Sequence, residues 1–166
     1  MIGRYLVLSE RIRAELAAMD HVVRRTESTL DRAVEQPENA DLFLASAALD
    51  LHSFYTGVER LLELIARDVD QSVPSGPSWH RDLLAQSALP IAALRPAILR
   101  AETRDALSEY LGFRHVVRTA YSFDLRTDRV SELTADLPRV FGMTRDDLLM
   151  FADFLDRLST SDQDNH

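Results

Sequence analysis

With 166 residues, 46% of them hydrophobic and 28% charged, the chain has the composition of one folded domain and is too apolar for a disordered one. It contains no cysteine, which excludes disulfides and thiolate zinc sites and leaves the cytoplasm as the default compartment. A net charge of −8 excludes a surface that binds nucleic acid all over, although a local basic site remains open.

The first stretch, "MIGRYLVLSERIRAEL", has an apolar run too short for a signal peptide or a membrane span, so no membrane role is expected. From Tyr5 the residues Leu8, Ile12, Leu16, Met19, Val23, Leu30 and Val34 keep the spacing of one helical face and predict a long first helix. Pro37 in "EQPEN" ends it, and Asn39 or Asp41 is placed to cap the next. Leu44, Ala48, Leu51, Tyr55, Val58, Leu62, Ile65 and Val69 predict a second long helix from Asp41 to about Val69. The short connection makes it antiparallel to the first.

"DQSVPSGPS" is a loop, after which Ser78 is a candidate cap for a short helix over "WHRDLLAQSA". Pro90 and Pro96 break up "IAALRPAILR", which reads as one or two helical turns docked on the bundle. Helical spacing returns from Glu102 to Tyr121. "DLRTDRVSEL" then mixes turn residues with arginines ahead of a helix over about Val130 to Phe141. "MTRDDLLMFADFLDRL" reads as a last helix opened by a capping box, Thr144 with Asp147. Nothing alternates as a strand does and no repeat period is visible. The expectation is an all-α bundle of two long antiparallel helices and three or four shorter ones, a single domain over residues 1–160 with a polar tail at 161–166.

Chemistry concentrates in "FRHVVRTAY". At 3.6 residues per turn Arg114, Arg118 and Tyr121 share a sector about 60° wide, opposite Phe113, Val116 and Ala120. His115 and Thr119, spaced i and i+4, flank that stripe. Two arginines four apart repel and call for an anion. Asp50, Glu59, Glu63 or Asp124 would supply it in a plain salt bridge. A phosphate would supply it in a binding site, with Arg126 and Arg129 adding to the same basic corner and Tyr121 bonding or stacking on the ligand. The arginines beside His115 disfavour its charged form, which leaves a neutral imidazole able to accept a proton.

"SGPSWHRDLL" is a second constellation. One reading has Trp79 anchoring the loop while His80 and Arg81 face water; the other has the loop walling a pocket, with its helix N-terminus lending positive charge. His21 and His52 read as structural. No glycine-rich phosphate loop, H-E-x-x-H, EF-hand loop or G-x-S-x-G is present, and the E-x-x-H pairs of di-iron bundles are missing, so no metal site and no cofactor are expected.

The blocks "ALDLHSFYTGVERLLELIARDVD", "PSGPSWHRDLL" and "EYLGFRHVVRTAYSFDL" together resemble the HepT-like branch of the HEPN superfamily, over Asp41 to Leu125. That resemblance implies a helical bundle that forms a homodimer with its motif helices facing each other. It also implies a ribonuclease motif, an Arg followed about five to seven positions later by a His, with a Tyr two beyond. Arg114 fits the Arg, His115 its polar follower and Tyr121 the Tyr, but Thr119 stands where the His belongs.

In the family mechanism the Arg holds the scissile phosphate of RNA while the His assists attack of the 2′-OH, without metal. Threonine cannot shuttle a proton, and such help is worth about 10² to 10⁴ in rate. Either His115 substitutes from the neighbouring turn or cleavage is weak or lost. The resemblance further implies a minimal nucleotidyltransferase antitoxin that adds AMP groups to the motif tyrosine, a position matched by Tyr121. The resulting expectation is a toxin with Arg114 and His115 as catalytic residues and Arg118, Thr119, Tyr121 and Arg126 as substrate or phosphate contacts. Against it stand a non-catalytic HEPN module that binds a nucleotide or a nucleotidyltransferase, and an unrelated bundle whose arginine stripe only pairs with acids.

Overall fold

The computed structural model of the chain describes the backbone of residues 2–119 and 127–161, and the side chains of 3–114 and 128–161. It contains α1 (Ile2–Glu35), α2 (Ala40–Ile65), α3 (Trp79–Ser87), α4 (Ala101–Thr119) and α5 (Thr127–Ser161). There is no strand among the described residues, only one antiparallel bridge between Ile91 and Arg95. The all-α expectation holds. No helix among the described residues is long and apolar enough to cross a membrane.

The apolar spacing read from α1 is the spacing that is buried: Leu8, Ile12, Leu16, Met19 and Val23 line one face. In α2 the buried set is wider, taking in Leu51, Phe54, Tyr55, Val58, Leu61, Leu62 and Ile65, because this helix is covered from several sides. It touches α1, α3, α4 and α5, while α1 also lies along α5. Phe54 sits at the meeting point, edge-on to Tyr110 of α4 (5.6 Å) and Phe141 of α5 (6.2 Å). The Tyr110 hydroxyl, in turn, donates to the Leu133 carbonyl at 2.9 Å.

Helix α2 ends in a π-helical turn over Ala66–Asp70, closed by Gln71 in the left-handed conformation (φ 53°). The loop that follows bends at Gly76 (φ 92°), a backbone angle glycine adopts without a Cβ clash. Ser78 and Asn39 occupy the positions before α3 and α2 as expected, but neither side chain makes a capping bond.

Two expectations from the sequence are corrected. "IAALRPAILR" is not helical. Its chain folds around Arg95, whose side chain is wholly buried and bonded to Asp70 at 2.7 Å, to the carbonyls of Leu89 (2.9 Å) and Pro96 (3.1 Å), and to Gln86 O (3.3 Å). Gln86 completes the knot by donating to Asp70 at 2.7 Å. A charge so placed is tolerable because nearly every donor finds an acceptor.

The second correction concerns the last two predicted helices, which form a single helix of 35 residues running through Pro138. Thr144 caps nothing: its hydroxyl donates to Val140 O inside the helix at 2.8 Å. Asp147 instead reaches across to α4, where it accepts from the Arg100 amide (2.9 Å) and the Arg100 guanidinium (2.6 Å). It closes the amino end of a neighbouring helix rather than of its own.

Removing the Arg95 charge leaves Asp70 buried and alone, so Arg95→Met is expected to lower unfolding free energy by about 3–5 kcal/mol in urea titration. Asp70→Leu with Arg95→Met should recover most of that. Asp156 joins α5 to α1. Burial raises its carboxyl, but hydrogen bonds from Ser9 (2.6 Å) and Arg13 (2.7 Å) outweigh this and hold it below its ordinary value. Such a group stabilises the fold above the unfolded carboxylate pKa of about 3.9 and loses that effect as pH falls through the lower folded value. The stability gap between wild type and Asp156→Asn should therefore be full near neutral pH and shrink in thermal melts taken below about pH 4.

Candidate functional site

Helix α4 brings Arg114 in toward α2 one residue after Phe113 is buried in the core. There the Arg114 Nη1 donates to both oxygens of Glu59, at 2.7 and 2.9 Å. Glu59 lies one turn after Tyr55 on α2, and its side chain is only 6% exposed, against 14% for Arg114. The third member comes from α3: His80 Nδ1 lies 2.7 Å from Glu59 Oε2 and 2.8 Å from Arg114 Nη1. Its ring stacks on that of Trp79, centroids 3.6 Å apart, and Trp79 in turn rests on the core.

The two contacts of His80 Nδ1 settle its tautomer. A carboxylate only accepts, so a bare Nδ1 at 2.7 Å from it would set lone pair against lone pair. A protonated Nδ1 makes a good bond instead. We therefore assign the hydrogen to Nδ1, donating to Glu59, and Nε2 is the nitrogen that accepts protons while the ring is neutral. A carboxylate that fixes the tautomer and orientation of an imidazole is the arrangement used wherever histidine acts as a base. Burial, and next the negative charge of Glu59, push the Tyr55 phenol up, with Arg114 pulling the other way.

His80 also lines a cleft of about 280 Å³ between the start of α3 and the face of α4, with Ser78, Arg81, Ser108 and Gly112 among its walls. Arg81 is exposed and makes no ion pair among the described residues. A Cβ built on Gly112 would meet nothing within 4 Å, so no packing within the chain demands a glycine in this helix. The open end of α3 adds partial positive charge to the same place. The second reading of "SGPSWHRDLL" is thus the structural one: the loop walls a cleft, Trp79 anchors it and Arg81 faces water. The expectation that His80 faces water is overturned, since Glu59 draws it in.

The stripe read from the helical wheel is changed as well. Arg114 is not presented to solvent, because Glu59, one of the four acids named as partners, already engages it. Of the others, Asp50 pairs with Arg25 at 2.6 Å, and Asp124 lies outside the described residues. Arg129 is taken up by Glu109 and Glu132 and adds nothing to a basic corner. The side chains of His115, Arg118 and Thr119 are outside the described residues, as are Tyr121 and Arg126 entirely. No three His, Asp or Glu side chains among the described residues are grouped as metal ligands would be.

A family model whose description is "HepT-like protein" matches residues 46–155, a span that includes Glu59, His80 and Arg114. No curated protein matches the chain, and no solved structure does.

The Glu59–Arg114 pair is open to a direct check. Glu59→Gln and Arg114→Met are each expected to lower stability by about 3–5 kcal/mol, because each strands a buried charge. Their double-mutant cycle in urea should return a coupling of about 1–3 kcal/mol. Additive effects would mean that the pair does not form.

Proposed function

Because the chain belongs to the HepT-like family of the HEPN superfamily, we propose that it is the toxin of a toxin–antitoxin pair and acts on RNA at the cleft between α3 and α4. The observation that carries this reading is the Glu59–Arg114–His80 cluster on the cleft wall. It sets an oriented imidazole at the family's motif arginine, beside an unpaired Arg81 and the positive end of a helix. Those are groups that grip and process a phosphodiester. The −8 net charge confines attraction for RNA to such a local patch.

Arg114 here is committed to Glu59, so contact with phosphate falls to Arg81 and to the motif-region residues Arg118, Thr119, Tyr121 and Arg126. His115 and Arg114 complete the set of motif residues whose replacement bears on cleavage. A homodimer would pair two α4 ends across one groove. The partner that silences the toxin is a minimal nucleotidyltransferase. AMP groups placed by it on Tyr121 would bring negative charge against Arg118 and exclude RNA.

A second reading has its own support. Thr119 occupies the motif His position, and Glu59 neutralises Arg114, as befits a non-catalytic module that binds a nucleotide or the nucleotidyltransferase as a regulatory scaffold. Thr119→His separates the two: toxicity gained from silence favours the module, and strong activity that does not change favours the toxin.

For the toxin, purified chain free of any partner should bind single-stranded RNA in fluorescence anisotropy. Arg81→Ala should weaken binding across sequences and reduce the slope of log affinity against log salt by about one. A chain that at high concentration neither binds nor cuts any RNA would sink the reading.

A further inference from the structure

The motif position for histidine is filled by Thr119, yet an imidazole stands beside the motif arginine all the same, delivered from a different helix. We infer that His80 is the proton-accepting catalytic residue of this chain and that Glu59 is its positioning residue, an inference that rests on the RNA-cleaving reading above. Three observations carry it. Nδ1 is fixed by Glu59 at 2.7 Å, which directs proton acceptance to Nε2. The ring is held between Trp79, at 3.6 Å between centroids, and the Arg114 guanidinium, at 2.8 Å, so its orientation is set before any ligand arrives. His80 is also a wall of the cleft that carries Arg81, which places the base next to a group able to hold a phosphate.

The step is a transesterification within the RNA. His80 Nε2 takes the proton of a 2′-OH as that oxygen attacks the adjacent phosphorus, and the bond from phosphorus to the 5′-oxygen of the next nucleotide breaks. The leaving oxygen takes a proton from solvent, and the imidazolium later returns its own to solvent. The products are a 2′,3′-cyclic phosphate and a 5′-hydroxyl, and no oxidant or water is consumed. Glu59 stays ionised throughout, stabilising the imidazolium as it forms. Arg114 keeps Glu59 charged and in place.

The test compares wild type with His80→Gln, which can still donate to Glu59 but cannot accept a proton. Cleavage is followed on a labelled RNA with the product ends identified, binding by anisotropy and folding by thermal melt. The expected result is a loss of about 100-fold or more in cleavage rate with RNA affinity held within about threefold. His80→Ala should regain part of its rate when imidazole is added, a rescue that a purely structural role would not give. If wild type cuts RNA and His80→Gln cuts equally well, the inference is overturned and the RNA-cleaving reading stands. The same holds if His115→Ala is silent while His80→Gln is not. Should wild type bind RNA without cutting it, the inference again fails and the non-catalytic reading takes over. If wild type does neither, the toxin reading fails before His80 is reached.

Discussion

A carboxylate taken out of water must be met by charge or by hydrogen bonds, and Glu59 is met by both. Its partners come from two other helices, Arg114 from α4 and His80 from α3, so one acid on the central helix decides how both lie against it. Apolar burial alone would let α3 and α4 slide or rotate by small amounts with little change in area. A bifurcated ion pair and a short imidazole bond admit far less movement. The cleft between α3 and α4 inherits its shape from this constraint.

Much of the fold can be read from the residues, and for one reason: long helices write their period into the sequence. The buried faces of α1 and α2 are those that the three-or-four spacing marks. The misreadings occur where local chemistry has two uses. Pro138 and the Thr144–Asp147 spacing look like a helix boundary because both residue types serve there. In the fold Asp147 spends its lone pairs on another helix, 47 positions away from Arg100. Arg95, flanked by prolines, looks like a surface residue in a broken segment, yet it is the centre of a buried knot. No local pattern announces a partner that arrives from a distant part of the chain.

The candidate site divides along the same line. The cluster in "FRHVVRTAY" is legible as a concentration of cationic and aromatic groups, and the loop before α3 is legible as a pocket wall. A helical wheel places Arg114 and Arg118 on one side but cannot say what lies opposite. Glu59, 55 positions upstream of Arg114, is what turns that arginine inward. His80 is the residue passed over, because a histidine judged on its own helix shows no partner. Its one local signal is the Trp79-His80-Arg81 run directly after a loop rich in proline, where the chain has just been steered back toward the core.

The contact between Asp147 and the Arg100 amide has a bearing on how the chain matures. The helix carrying Arg114 begins at Ala101, and its leading amide is satisfied by a residue that ribosomes make nearly fifty codons later. During synthesis the arginine-bearing segment therefore emerges with an open start, and its first turn frays until the final helix docks. A nascent chain halted short of position 147 would hold the motif residues in sequence but not in a finished helix. Full assembly waits for almost the whole message to be translated.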